Sequence, residues 1–365
     1  MKKLIWPLCL GLLIASCKKE ENNNDNNQDP GGSGTPAVFD VVGQLSFSDG
    51  PHDIAIKDHV LFACRGDNIQ IVNISNPSSP TLIGTLEYPQ TTNNFEALYL
   101  DGNTLYIGCS AVSGIYAMDV TDPEAPTALA QYTDDIFAGT KLKTYSIFAQ
   151  NGQVWAAGSN GQGSMLVRFD LQSGNLILKN FWEGGGTGNA VEGIWGNSTH
   201  IYLSTADGHV LSFDQANFTS GPLDDFTFQA EAGHEHWGRT LVGKGNSLYW
   251  ADWGAGFVTL DISNPSSLVA TTTLSNSVYI GQHPDAEGTN VYDVALDDAS
   301  GKIYLANGWS GLLELNQSTP GQVNNYVDYK DNQYYCLKVS GDYAYVGDIA
   351  AGTTDIKGIK VIKIK

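Results

Sequence analysis

The sequence predicts an all-β fold in which seven four-stranded sheets stack as blades around a common axis. Three observations predict it. The hexapeptide ISNPSS occurs twice, at 74–79 and 262–267, 188 residues apart. An apolar, strand-like run recurs seven times, at steps of 46, 51, 44, 47, 55 and 47 residues. Finally, 41 of the 365 residues are glycine and only 16% are charged, and helix-period patterns are scarce beyond the first 16 residues, as in turn-rich β chains. Four short strands in every 45 residues or so are the pattern of a β-propeller blade.

The recurring runs are IQIVNI (69–74), IYAMDV (115–120), LVRFDL (166–171), VLSFDQ (210–215), FVTLDI (257–262), LLELNQ (312–317) and IKVIKI (359–364). Each follows a glycine-bearing turn and, before it, a second strand such as VLFAC or TLYIG. An earlier strand (DIAI, EALYL, SIFAQ) opens each repeat, and a later one, such as TLIGTLEY, closes it. Blades pack face to face, so their middle strands are covered on both sides and lose the apolar–polar alternation. ISNPSS is the corner that leaves the third strand. Asn before Pro favours an extended residue, and Pro presets the φ of the next turn position. VTDPEAP (120–126) is a third version of that corner.

The two ends complete each other. The last repeat stops at IKVIKIK with no fourth strand, while DVVGQLSF (40–47) resembles the fourth strand TLIGTLEY and has no blade of its own. The N-terminal strand 40–47 is therefore expected to complete the last blade, closing residues 37–365 into one seven-bladed domain without exposed sheet edges.

The net charge of −20 repels phosphate backbones, which excludes nucleic acid as a partner and favours cations. Residues 1–16 join two lysines to an apolar run too short to span a bilayer. Ile14-Ala15-Ser16-Cys17 resembles the lipobox of bacterial lipoproteins, which implies cleavage before Cys17 and its acylation. Residues 17–36 then read as a tether, since 18–36 contain no Ala, Val, Leu, Ile, Met or aromatic residue and cannot fold alone. Lys19-Glu20-Glu21 is similar to the surface-export signals of Bacteroidetes lipoproteins. The expected location is the outer membrane, held by lipid alone and facing the cell exterior. Cys64, Cys109 and Cys336 remain, an odd number that gives no complete disulfide framework; they read as small buried side chains.

IQIVNISNPSSPTLIGTLEY resembles the LVIVD repeat of bacterial propeller proteins, with blades 2 and 5 following the same pattern in their corners. The resemblance implies a seven-bladed extracytoplasmic propeller and leaves function open.

Propeller ligands usually sit at the channel mouth where the innermost strands begin. The residues expected there are Asp53, Glu96, Ser146, Glu192, Arg239, Asp293 and Tyr335. Four carboxylates at close range raise one another's pKa or call for a cation, so Ca²⁺ or a cationic ligand is a candidate occupant. Long loops at 182–192, 229–239 and 275–293 add Trp182, His234, His236, Trp237, Tyr279 and His283, and turns add Trp253 and Trp309. Trp and Tyr beside Asp and Arg suit sugar rings. His234, His236 and His283 are a candidate Zn²⁺ or Cu²⁺ set. There is no G-x-S-x-G, H-E-x-x-H or P-loop motif. The expected function is a monomeric, non-catalytic module for extracellular glycan or protein. The alternatives are a polysaccharide lyase or hydrolase using His236, Arg239 and Tyr335, or a structural adhesion protein.

Overall fold

The computed structural model describes residues 39–87, 94–110, 114–184, 190–282, 288–308, 311–327, 333–349 and 357–365. The leader, Cys17, the tether, His283 and Trp309 lie outside the described residues. Seven antiparallel four-stranded sheets form the blades. Their inner strands are Asp53–Lys57, Phe95–Asp101, Lys143–Gln150, Val191–Gly196, Gly238–Lys244, Asp293–Asp297 and Tyr334–Ser340, here blades 1 to 7. In blades 1 to 6 the strands run outward in chain order. In blade 7 the outer strand is Asp40–Ser46, paired antiparallel with Gly358–Lys363 from Asp40–Lys363 to Ser46–Gly358. The ring closes as expected.

The apolar interior divides into seven clusters, one between each pair of neighbouring blades. Strand Val60–Arg65 shows why its sequence is continuously apolar. Val60, Phe62 and Cys64 enter the cluster shared with blade 2, whereas Leu61 and Ala63 enter the one shared with blade 7. Period-two alternation persists, but both faces are dry. Each large side chain so buried contributes about 1.5–3 kcal/mol. All three described cysteines are buried and outside any disulfide, so they serve as packing atoms.

The ISNPSS corners are paired Asx turns. Asn73 Oδ1 accepts the Ser75 N–H at 2.9 Å and Asn76 Oδ1 the Ser78 N–H at 3.3 Å. Asp261 with Ser263 and Asn264 with Ser266 repeat this in blade 5, as do Asp119 with Thr121 and Asp122 with Glu124 in blade 2. Each corner also bears on the preceding blade. The Pro77 carbonyl presses against Gly43 of the closing strand, where a Cβ would stand 2.1 Å from the oxygen. The Pro265 carbonyl accepts the Ser212 hydroxyl of blade 4, and Glu124 contacts His59 of blade 1. ISNPSS recurs because the same bracket joins two different blade pairs.

Two elements among the described residues depart from the all-strand reading, the 3-10 turn Phe218–Ser220 being the shorter. Asn276–Gln282 is a short helix that buries Tyr279 in the cluster between blades 5 and 6. Among the described residues no helix is long and apolar enough to cross a membrane.

Candidate functional site

The inner strands begin at the channel mouth, and five of them begin with a β-bulge. The register shifts bracket Glu96, Tyr145, Glu192, Arg239 with Thr240, and Tyr335. A bulge gives one residue no partner across the ladder and re-aims its side chain. Here the released residues converge on the mouth. Glycine makes the turn possible where two chains crowd: a Cβ on Gly193, next to Glu192, would lie 2.0 Å from the Arg239 carbonyl oxygen.

Arg239 is the centre of the group. Its guanidinium donates to Glu192 at 3.3 Å, lies 4.3 Å over the Tyr335 ring and 5.4 Å from that of Trp237. The Arg239 and Glu192 side chains are only 15% and 14% exposed, so both charges are largely withdrawn from water. Burial pushes the Glu192 carboxyl above its ordinary range; Arg239 pulls it back and the nearby Glu96 raises it again. Burial disfavours the Arg239 cation, but Tyr335 and Glu192 more than offset that. The Tyr335 hydroxyl is pushed up to about 12 by burial, against the pull of Arg239.

Two further side chains close the ring. His52 meets the Glu96 carboxylate through Nδ1 and stands 5.6 Å from the Tyr335 ring; Tyr292 packs against Tyr335 at 4.9 Å. Glu96 also accepts the Ser110 hydroxyl at 2.9 Å. Trp253, half-buried, borders the Tyr292 hydroxyl. Trp237 is 41% exposed and offers its indole to the Glu192 carboxylate. Next to this group a cleft of about 390 Å³ is lined by Asp49, His52, Arg65, Asp67 and Asn94, among others.

Asp53 and Asp293 serve differently. Each caps its own strand and reaches across to the next blade. Asp53 accepts the Ile54 and Leu98 N–H groups, both at 2.8 Å, and Asp293 those of Val294 and Leu337, at 2.8 and 2.7 Å. The Lys338 ammonium stands 3.6 Å from Asp53 and 3.8 Å from Asp293. Burial works against that cation, but the two carboxylates hold its pKa above the ordinary lysine range. The acidic ring therefore receives positive charge from the chain itself. Among the described residues no group of three or more His, Cys, Asp or Glu side chains is placed to hold a metal ion.

His236 is drawn away from the mouth. Its Nδ1 is 3.2 Å from Asp252 and its Nε2 accepts the Ala230 N–H at 3.1 Å, so both nitrogens pin the loop down. Trp182 packs edge-on against Phe213 at 4.9 Å and fills a gap. Of the residues expected to contact a ligand, Glu96, Glu192, Trp237, Arg239 and Tyr335 come together, with Trp253 beside them. Sequence reasoning missed His52, Tyr145, Tyr292 and Lys338. His52 and Tyr292 immediately precede the two strand-opening aspartates, and that position was the available signal.

Fold and mouth together define a seven-bladed β-propeller with a polar, aromatic channel opening. The chain carries LVIVD repeats: the family model of the LVIVD repeat matches residues 52–87, 240–274 and 336–353. Those segments fall in blades 1, 5 and 7; blade 2, whose corner makes the same bonds, lies outside them. The fold is similar to the β-propeller domain of Cps50 (Swd1) from Myceliophteria thermophila, at a TM-score of 0.66 and 12% identity over 90% of this chain and 100% of that one. It is also similar to the computationally designed Ika8 protein, at 0.58 and 12% over 89% and 100%. Raptor from Chaetomium thermophilum matches at 0.64 and 11% over 90% of this chain and 30% of that one. At such identities the likeness is one of fold alone. No curated protein matches the chain.

Proposed function

We propose that this chain is a lipid-anchored outer-membrane protein, facing the cell exterior, whose propeller binds an extracellular glycan at its channel mouth without catalysis. The observation that carries the reading is the ring of released side chains. Five bulges spend backbone pairing to gather carboxylates, an arginine and tyrosines around one opening, with the half-exposed Trp237 at its edge. Aromatic faces stack on sugar C–H groups while the charged tips hydrogen-bond to hydroxyls. The cleft beside His52 offers room for a second sugar. A lyase reading gains nothing from the geometry. A tyrosine base works best with its pKa brought toward neutrality, and that of Tyr335 is displaced the other way.

The test is calorimetric titration of the purified full chain against neutral oligosaccharides. Trp237→Ala and Tyr335→Ala are each expected to cost about 1–3 kcal/mol of binding, a loss of at least several-fold in affinity, because such aromatics dominate interface energetics. Binding that both variants retain in full would remove the mouth from consideration. An extracellular protein is then the remaining ligand class, sought by co-purification.

The anchor follows from residues 1–17. Cys17→Ala is expected to abolish incorporation of labelled fatty acid and to release the protein from the membrane fraction, since acyl chains supply the attachment. Unchanged sedimentation with membranes would refute a lipid anchor at that residue.

A further inference from the structure

We propose that the rim of blade 3 carries a second binding site, specific for a sugar ring bearing an anionic group. A cleft of about 490 Å³ opens there, lined by Phe137, Lys141, Lys143, Asn160, Gln162 and Glu183, among others. Its walls come from the loop entering blade 3, the turn between that blade's second and third strands, and the end of its outer strand. All three belong to the mouth side of the ring, but the lining shares no residue with the mouth.

The loop is built rather than slack. Ile136 and Leu142 are buried in the cluster between blades 2 and 3. Between them the Ile136 N–H donates to the Thr140 carbonyl at 2.8 Å and the Thr140 N–H to the Phe137 carbonyl at 2.7 Å. The Asp135 carboxylate is taken up by the Gly139 N–H at 2.9 Å, where φ of +76° suits glycine. Phe137 is thereby held out at the tip, 36% exposed, and stacked on Phe181 at 5.0 Å between centroids with 17° between planes. Such a stacked aromatic is a platform for a pyranose face.

Charge selects the ligand. Fourteen Lys and Arg side chains lie among the described residues, and ten of them are ion-paired. Of the other four, Lys141 and Lys143 line this one cleft. The single carboxylate on the wall, Glu183, is engaged by the Asn160 side-chain amide, whose oxygen accepts the Gln162 and Gly163 N–H groups, both at 2.8 Å. On a chain of net charge −20, two unpaired ammonium groups beside an aromatic platform offer a carboxylate or sulfate a point of attachment.

The test is calorimetric titration of the full chain at low ionic strength with tetragalacturonate, a carrageenan tetrasaccharide and cellotetraose. The expected result is binding of an anionic probe, with cellotetraose at least ten-fold weaker at this cleft. The double variant Lys141→Gln, Lys143→Gln should lose at least ten-fold in affinity for the anionic probe, and Phe137→Ala several-fold, both with unchanged melting temperature. Trp237→Ala should leave that affinity unaltered, which separates this site from the mouth. The preferred anionic probe then identifies the anion as carboxylate or sulfate. Equal affinity of the double variant and the parent for both anionic probes, or binding of neither by the parent, would overturn the proposal.

Discussion

Deletion of Asp40–Phe47 is expected to leave the chain unable to close, with aggregation on refolding. The reason lies in the pairing of blade 7. Without that strand, Gly358–Lys363 becomes a bare sheet edge, and the buried Ile359, Val361 and Ile362 border it. Unpaired edges template association between chains. Gly43→Val is the finer version. A Cβ there meets the Pro77 carbonyl at 2.1 Å, so the corner of blade 1 has to retreat from the closing strand. Overpacking of this kind costs about 3 kcal/mol. With an unfolding entropy near 2.1 cal/mol/K per residue, that lowers the melting temperature of a ring this size by roughly 4 °C. Size-exclusion chromatography of the deletion and calorimetry of the variant measure both effects. A monomeric, cooperatively melting deletion protein would show that the strand is dispensable.

Arg239→Ala is expected to damage stability and ligand binding together. The substitution removes the cation from a largely buried pair and leaves Glu192 without compensation, a loss of about 3 kcal/mol at neutral pH. The pH dependence identifies the cause. The Glu192 carboxyl is already raised above 4.5 by burial, and losing Arg239 raises it further. A carboxyl with a raised folded pKa favours the protonated folded state. Its contribution is present below about 4.5 and is lost as pH rises through the folded value. The deficit of Arg239→Ala relative to the parent should therefore shrink between pH 7 and pH 5. Glu192→Gln placed on top of Arg239→Ala should restore much of the loss. Denaturant midpoints at the two pH values measure this; a deficit of equal size at both would mean that Arg239 acts through packing on Tyr335 and Trp237 alone.

Much of this architecture was legible because it repeats. The 47-residue spacing, the doubly apolar second and third strands and the unpaired ends at 40–47 and 359–364 are local patterns that a propeller forces on its sequence. The side of the ring on which Glu96, Glu192, Arg239 and Tyr335 lie followed from the same periodicity. Details of the mouth were less accessible for two physical reasons. A β-bulge moves the outward-turned residue by one position, so blade 3 presents Tyr145 where strict counting reaches Ser146. Long-range neutralisation leaves no local trace. Lys338 sits in an ordinary strand, CLKV, and its partners Asp53 and Asp293 are 285 and 45 residues away. His236 misled for the same reason, since nothing near it in sequence announces Asp252 or the Ala230 amide. The helix holding Tyr279 is too short for its periodicity to stand out from a loop.

The direction of the closing strand sets the polarity of the whole disc. Asp40 pairs with Lys363, at the end of blade 7's third strand that lies away from the mouth, and Ser46 pairs with Gly358 at the mouth end. The closing strand thus starts on the face of the ISNPSS corners. Asp40 therefore stands on the opposite face of the disc from the ring of Arg239, Glu192 and Tyr335. A pull applied at Asp40 loads the strand that keeps the ring shut, drawing it lengthwise past Gly358–Lys363 so that its backbone hydrogen bonds are strained together rather than peeled one by one. The seam that makes the propeller circular is also the one that such a pull shears.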